Sequence, residues 1–139
     1  MDVSTKVSRG WLSGRGFTLI ELLVVISMIS ILAAMGVVQY RNSVKRTEEA
    51  MLKRNLFEMR DVIDQYHADK GKYPAALDAL VSDGYLRRIP VDPVTKSADT
   101  WETVMAEPDP GSPGAEAGIS NVKSGAQGTS LDGTPYAEF

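Results

Sequence analysis

Arg15-Gly16-Phe17-Thr18-Leu19-Ile20-Glu21 opens an apolar run that continues to Val38, and the reading of this stretch decides the fold. From Phe17 to Val38 there are 22 residues, interrupted only by Thr18, Glu21, Ser27, Ser30 and Gly36. At about 1.5 Å rise per residue the run spans roughly 33 Å as a helix, enough to cross a hydrocarbon core of about 30 Å. Glu21 stands inside it, roughly 7 Å along the helix from its start. A carboxylate at that depth either snorkels to the near interface or meets a positive partner within the membrane. An unpaired one is costly or becomes protonated, so Glu21 is a functional candidate by default.

Working outward, residues 1–16 form a short polar, basic leader carrying Lys6, Arg9 and Arg15 against Asp2. It could serve as the n-region of a secretory signal, but Ser30, Ala33, Ala34 and Gly36 offer only loose matches to a small-residue cleavage site. Charge alone leaves orientation undecided, because Arg41, Lys45 and Arg46 follow the span as closely as the leader cations precede it.

Downstream, the helical pattern turns amphipathic. Leu52, Leu56, Met59, Ile63 and Tyr66 fall on a single stripe, which Val44 extends backwards and Val62 and Met51 widen. Lys45, Arg46, Glu48, Glu49, Lys53, Arg54, Glu58, Arg60, Asp61 and Asp64 mark the opposite face as solvated, with Glu49–Lys53 and Arg60–Asp64 at the i,i+4 spacing of supporting charge pairs. One helix from Phe17 to about Asp69 would be roughly 80 Å long. Gly71 ends it and Pro74 prevents its resumption. Ala75 to Val81 reads as a short helix with Leu77, Leu80 and Val81 inward. Ile89 to Pro93 runs extended, since each Pro disfavours helical backbone before it. Trp101 to Met105 alternates as a strand, with Trp101, Thr103 and Met105 on one face, and Gly118 to Lys123 is its expected partner. The segment 107–114, with three Pro and two Gly, is the loop between them. Tyr136 and Phe139 would cap the sheet. The fold class is therefore α+β: a long N-terminal helix packed by its second half on two or three antiparallel strands.

Composition narrows the function. The 139 residues leave room for one small domain after the leader and span, and the absence of Cys removes disulfides and thiol chemistry. Loss of the leader's three cations and one acid takes the net charge from −3 to −5, and no basic stripe suited to nucleic acid is present. His67, the only histidine, sits at the end of the amphipathic helix beside Tyr66 and reads as a surface residue. No nucleophile–base order or phosphate-cradling glycine loop occurs, so the chain is expected not to be an enzyme.

Gly16-Phe17-Thr18-Leu19-Ile20-Glu21 beside such a run resembles the class III signal of type IV pilins and of the pseudopilins of type II secretion systems. Asp69-Lys70-Gly71-Lys72-Tyr73-Pro74 is similar to the pseudopilin turn after the long helix, and Gly84-Tyr85-Leu86 followed by Pro90-Val91-Asp92-Pro93 repeats the order of the major, G-type pseudopilin. The resemblance implies a leader at 1–16, a membrane and filament-core helix at 17–38, and a periplasmic domain at 39–139. It implies that a prepilin peptidase cuts between Gly16 and Phe17 and methylates the new amine of Phe17. Glu21 would then pair with that amine on a neighbouring subunit and set axial register. The implied partners are further copies of the chain in a homopolymer, minor pseudopilins, and a secretion platform with its ATPase, at the inner membrane. A type IV pilin or minor pilin for adhesion, motility or DNA uptake is the nearest alternative, although pilins usually carry a C-terminal disulfide. A membrane-tethered periplasmic binding domain that never polymerises is the other.

Major pseudopilins also bind calcium in the region corresponding to Ser124–Gly133. Here Asp132 remains as a carboxylate ligand and Thr129 or Ser130 could add oxygens, but Gln127 stands where the family has an acid. A hard calcium ion seeks six to eight oxygens, so the expected site is weak or missing. Val38 likewise replaces the Pro that the family commonly has late in the apolar run.

Overall fold

Thr18 starts the first helix. Its hydroxyl accepts a hydrogen bond from the Glu21 amide at 3.2 Å, and its carbonyl accepts one from the Leu22 amide at 3.1 Å. Thr18 thus satisfies an orphan donor of the first turn, and the acidic Glu21 lies where the helix dipole favours negative charge. A computed structural model of the chain describes residues 16–107 and 117–139. Helix α1 runs over Leu19–Lys70, close to the expected bounds. Its far end is set by Gly71, whose φ of +69° suits glycine and whose amide bonds to the His67 carbonyl at 2.8 Å.

The chain divides into two compact units, Met1–Val38 and Gln39–Phe139. In the first, the described residues are exposed throughout, and no residue in the apolar window of α1 is buried within the chain. Among the described residues the hydrophobic run has no core of its own to enter.

The second unit holds the core. Leu52, Leu56, Met59, Ile63 and Tyr66 are all buried, as the stripe predicts, and Val62 joins them. Full burial of such side chains contributes roughly 1.5–3 kcal/mol each. Val44 and Met51, expected to extend and widen the stripe, are instead exposed. The reason is that Glu49 occupies the buried position one turn before Leu52 and closes the stripe with a polar group.

A short helix, α2 (Leu77–Ser82), lays Leu80 into the core, with Leu77 packed at its margin and Val81 only half-buried. Lys70 donates to Asp83 at 2.6 Å across the turn that follows. Strands β1 (Trp101–Met105) and β2 (Ile119–Ser124) pair antiparallel in a two-stranded sheet, so the loop reading of 107–114 joins adjacent strands, although most of that segment lies outside the described residues. Trp101 is the only buried residue of β1; Thr103 and Met105 do not join a buried face. On β2, Ser120 is an extra residue opposite the Val104–Met105 step. That bulge slips the alternation by one, which is how Ile119 and Val122, three apart, both reach the core. A 3-10 turn at Tyr136–Glu138 closes the chain, with Tyr136 buried and edge-on to Phe139, the capping role expected of both.

Candidate functional site

The N-terminal unit is simple in its chemistry. Gly16 and Phe17 precede α1, and Phe17 is 82% exposed. Among the described residues nothing lies within 4 Å of the position a Gly16 side chain would take. The hydroxyls of Ser27 and Ser30 donate to the carbonyls of Leu23 and Ile26, each at 2.7 Å, so both are satisfied inside the helix. Among the described residues the Glu21 carboxylate makes no hydrogen bond or ion pair. It is the one ionisable group within 17–38.

The other candidate segment is 124–133. Asp132 sits exposed in a turn. The Gly128 carbonyl accepts from Tyr136 N at 3.2 Å, that of Thr129 from Lys45 Nζ at 2.9 Å, and that of Ser130 from Gly133 N at 3.1 Å. The Ser130 hydroxyl accepts from Thr134 N at 3.2 Å. Ser124 is buried and donates to Asp92. Three carbonyls and one hydroxyl of the segment are thus each turned to a donor, a lysine ammonium stands on one of them, and Asp132 is the single carboxylate between 124 and 133. Among the described residues no three metal-ligating side chains come together. The residues present do not fit a calcium ion.

Three charged residues carry structure that the sequence reading placed in solvent or in plain extended chain. Glu49 is buried and its Oε1 accepts from Leu131 N at 2.9 Å and from Tyr136 Oη at 3.2 Å, in place of an ion pair with Lys53. Burial, and then this carboxylate, push the Tyr136 phenol above its usual range. Arg60, half-buried, ignores Asp64 and donates to Asn121 Oδ1 at 2.8 Å, to the Val122 carbonyl at 2.9 Å and to the Phe139 carbonyl at 2.6 Å. Asp92, fully buried, accepts from Val94 N, Thr95 N and Ser124 Oγ. The signal for Glu49 was its place on the buried stripe, and for Asp92 its setting between two prolines. His67 is exposed, as expected, and stacks on Tyr73 at 4.1 Å between ring centres. The Glu48 carboxylate, also read as free, pairs with Lys96.

A glycine-headed apolar helix with a single acid in its first turn, continuing into a small α+β unit, defines a pilin-like subunit. The prokaryotic N-terminal methylation motif matches residues 13–37. The type II secretion system core protein G of Klebsiella michiganensis is 31% identical over 97 residues, covering 58% of this chain and 68% of that protein. Its counterpart in Escherichia coli K12 is 28% identical over 138 residues, 88% of this chain and 90% of its own length. The fimbrial protein EcpC of Eikenella corrodens is 30% identical across 86% of this chain and 78% of its own length. No solved structure matches the chain. The chain belongs to the family of the type II secretion system core protein G, the G-type pseudopilins. This is a family of structural subunits and not of enzymes, and α1 provides the one helix, among the described residues, long and apolar enough to anchor such a subunit in the inner membrane.

Proposed function

We propose that the chain is the structural subunit of a periplasmic pseudopilus that assists type II secretion of folded proteins across the outer membrane. The reading rests on one observation above all: Glu21 is the only ionisable group of the apolar stretch 17–38, none of whose residues is buried in its own chain. In this reading residues 1–16 face the cytoplasm, a prepilin peptidase cuts between Gly16 and Phe17, and the Phe17 amine is methylated. Units 39–139 stand in the periplasm. Glu21 accepts from the Phe17 amine of the next subunit, and the helices of many copies bury one another's apolar faces. Minor pseudopilins and an ATPase-driven platform serve the growing filament.

The fimbrial relative favours a second reading, a type IV pilin in adhesion, motility or DNA uptake; the lack of Cys weighs against it. The test begins with the intact mass and N-terminal residue of the protein from native membranes, expected to be N-methylated Phe17. Glu21→Ala should then be processed normally yet yield no filaments. A chain still beginning at Met1 would remove the pilin-like reading, and normal filaments from Glu21→Ala would remove the register role. Deletion of the subunit should stop export of folded proteins through the outer membrane; loss of surface fibres with export intact would select the pilin reading.

A further inference from the structure

We propose that Lys45 and Glu49 of α1 take the place of a metal ion in holding the C-terminal segment, so that the globular unit folds and acts without calcium. The two residues are one helical turn apart and share a face. Each engages the backbone of the same segment from that face. Lys45 Nζ donates to the Thr129 carbonyl at 2.9 Å, and Glu49 accepts from the Leu131 amide at 2.9 Å. A cation and an anion thus grip an acceptor and a donor two residues apart, on a strip of chain that closes on itself through the Thr129–Pro135 bridge and the Ser130 N to Thr134 O bond of 2.8 Å.

A bound ion would organise such a loop by drawing several carbonyl and carboxylate oxygens to one point. Here a side-chain ammonium supplies the positive charge, already attached to the chain by a covalent stem. The surroundings favour that solution. Arg41 and Lys45 line the open cavity of about 590 Å³ beside Gln127 and Thr129, and Glu48, the acid on its wall, is paired with Lys96. A divalent cation entering there meets two positive charges and an amide where an acid would be needed. Glu49, the buried acid one turn beyond Lys45, is spent on Leu131 and Tyr136.

The experiment uses the full chain in detergent micelles and calcium chloride alone as the probe. Thermal unfolding is followed in millimolar calcium and, separately, in excess chelator, for the wild type and for Lys45→Met, which keeps the stem and loses the donor. The wild-type Tm should agree between the two conditions within about 2 °C, and Lys45→Met should lower it by roughly 4–8 °C in both. A wild-type Tm that rises with calcium overturns the proposal, and so does a Lys45→Met variant as stable as the wild type. If Lys45→Met does not fold, hydrogen exchange at the Leu131 amide of the wild type decides. Slow exchange in chelator, unchanged by calcium, supports the clamp; protection that appears only with calcium overturns it. Neither result touches the pseudopilus reading, which stands or falls on the processed N-terminus.

Discussion

Asp92 offers the sharpest test of how the globular unit is held together. Its carboxylate is fully buried, and three donors end on it: the Val94 amide at 2.8 Å, the Thr95 amide at 3.3 Å and the Ser124 hydroxyl at 2.5 Å. Ser124, itself fully buried at the end of β2, accepts in turn from the Ala126 amide at 3.1 Å. Asp92→Ala strands three donors: the Val94 amide, the Ser124 hydroxyl and the more weakly bonded Thr95 amide. A buried donor left unpaired costs about 1–3 kcal/mol, so the substitution should destabilise by roughly 3–4 kcal/mol, a large part of the roughly 5–15 kcal/mol that a domain has in total. Ser124→Ala alone should cost about 1–2 kcal/mol. In the double variant the stranded hydroxyl no longer exists, so the two effects should fall short of their sum by about 1–2 kcal/mol. Urea unfolding of the chain in micelles measures this through Trp101, which is buried with its indole N–H on the Pro90 carbonyl at 2.8 Å, next door to Asp92. The proposed cleavage after Gly16 would remove Trp11 and leave Trp101 as the sole tryptophan of the 17–139 segment. Strict additivity of the two substitutions, or Asp92→Ala costing under about 1 kcal/mol, would refute the network.

Two further outcomes follow from single contacts. The Tyr136 phenol has its folded pKa raised above the usual 10.0, so the stability it brings is complete below that pH and is lost as pH climbs through the raised value. Tyr136→Phe should cost about 1 kcal/mol at neutral pH and should flatten the alkaline decline of stability; an unchanged pH profile would remove Tyr136 from it. At Gly118 an added Cβ would stand 2.5 Å from the Tyr73 Cβ and 2.6 Å from the Tyr73 carbonyl oxygen, where the Ile119 amide also bonds Pro74 at 2.8 Å. Gly118→Ala should therefore lower stability by roughly 2 kcal/mol in the same urea assay; a neutral effect would mean that the Tyr73–Pro74 backbone yields freely.

What the sequence made legible was local in the chain. The glycine before Phe17, the stripe from Leu52 to Tyr66, the stop at Gly71 and the strands flanking a proline-rich loop all declare themselves within a few residues. Glu49 did not, because the doublet Glu48-Glu49 reads as a solvated pair and its partners, Leu131 and Tyr136, lie 82 and 87 residues away. Arg60 is the same case, bonded to Phe139 at the far end of the chain. The slip in β2 arises from one residue more on one strand than on the other, and no alternation rule on a single strand displays it. The expectation of a weak or missing calcium site came from Gln127, but the lysine standing on the Thr129 carbonyl could be found only in three dimensions.

The serines of the apolar helix have a bearing on how the subunit changes surroundings. Ser27 and Ser30 return their hydroxyls to the backbone one turn behind, so they ask nothing of lipid or of a neighbouring protein. Lipid tails and leucine side chains are nearly equivalent as solvents for the remaining surface. A helix of this kind exchanges one environment for the other with almost no preference, and without loosening any contact of the globular unit's core. In the proposed reading, whatever preference exists is concentrated in the pairing of Glu21. In that reading the membrane would act as a reservoir of ready-folded subunits, and a single carboxylate would serve as the ticket of departure.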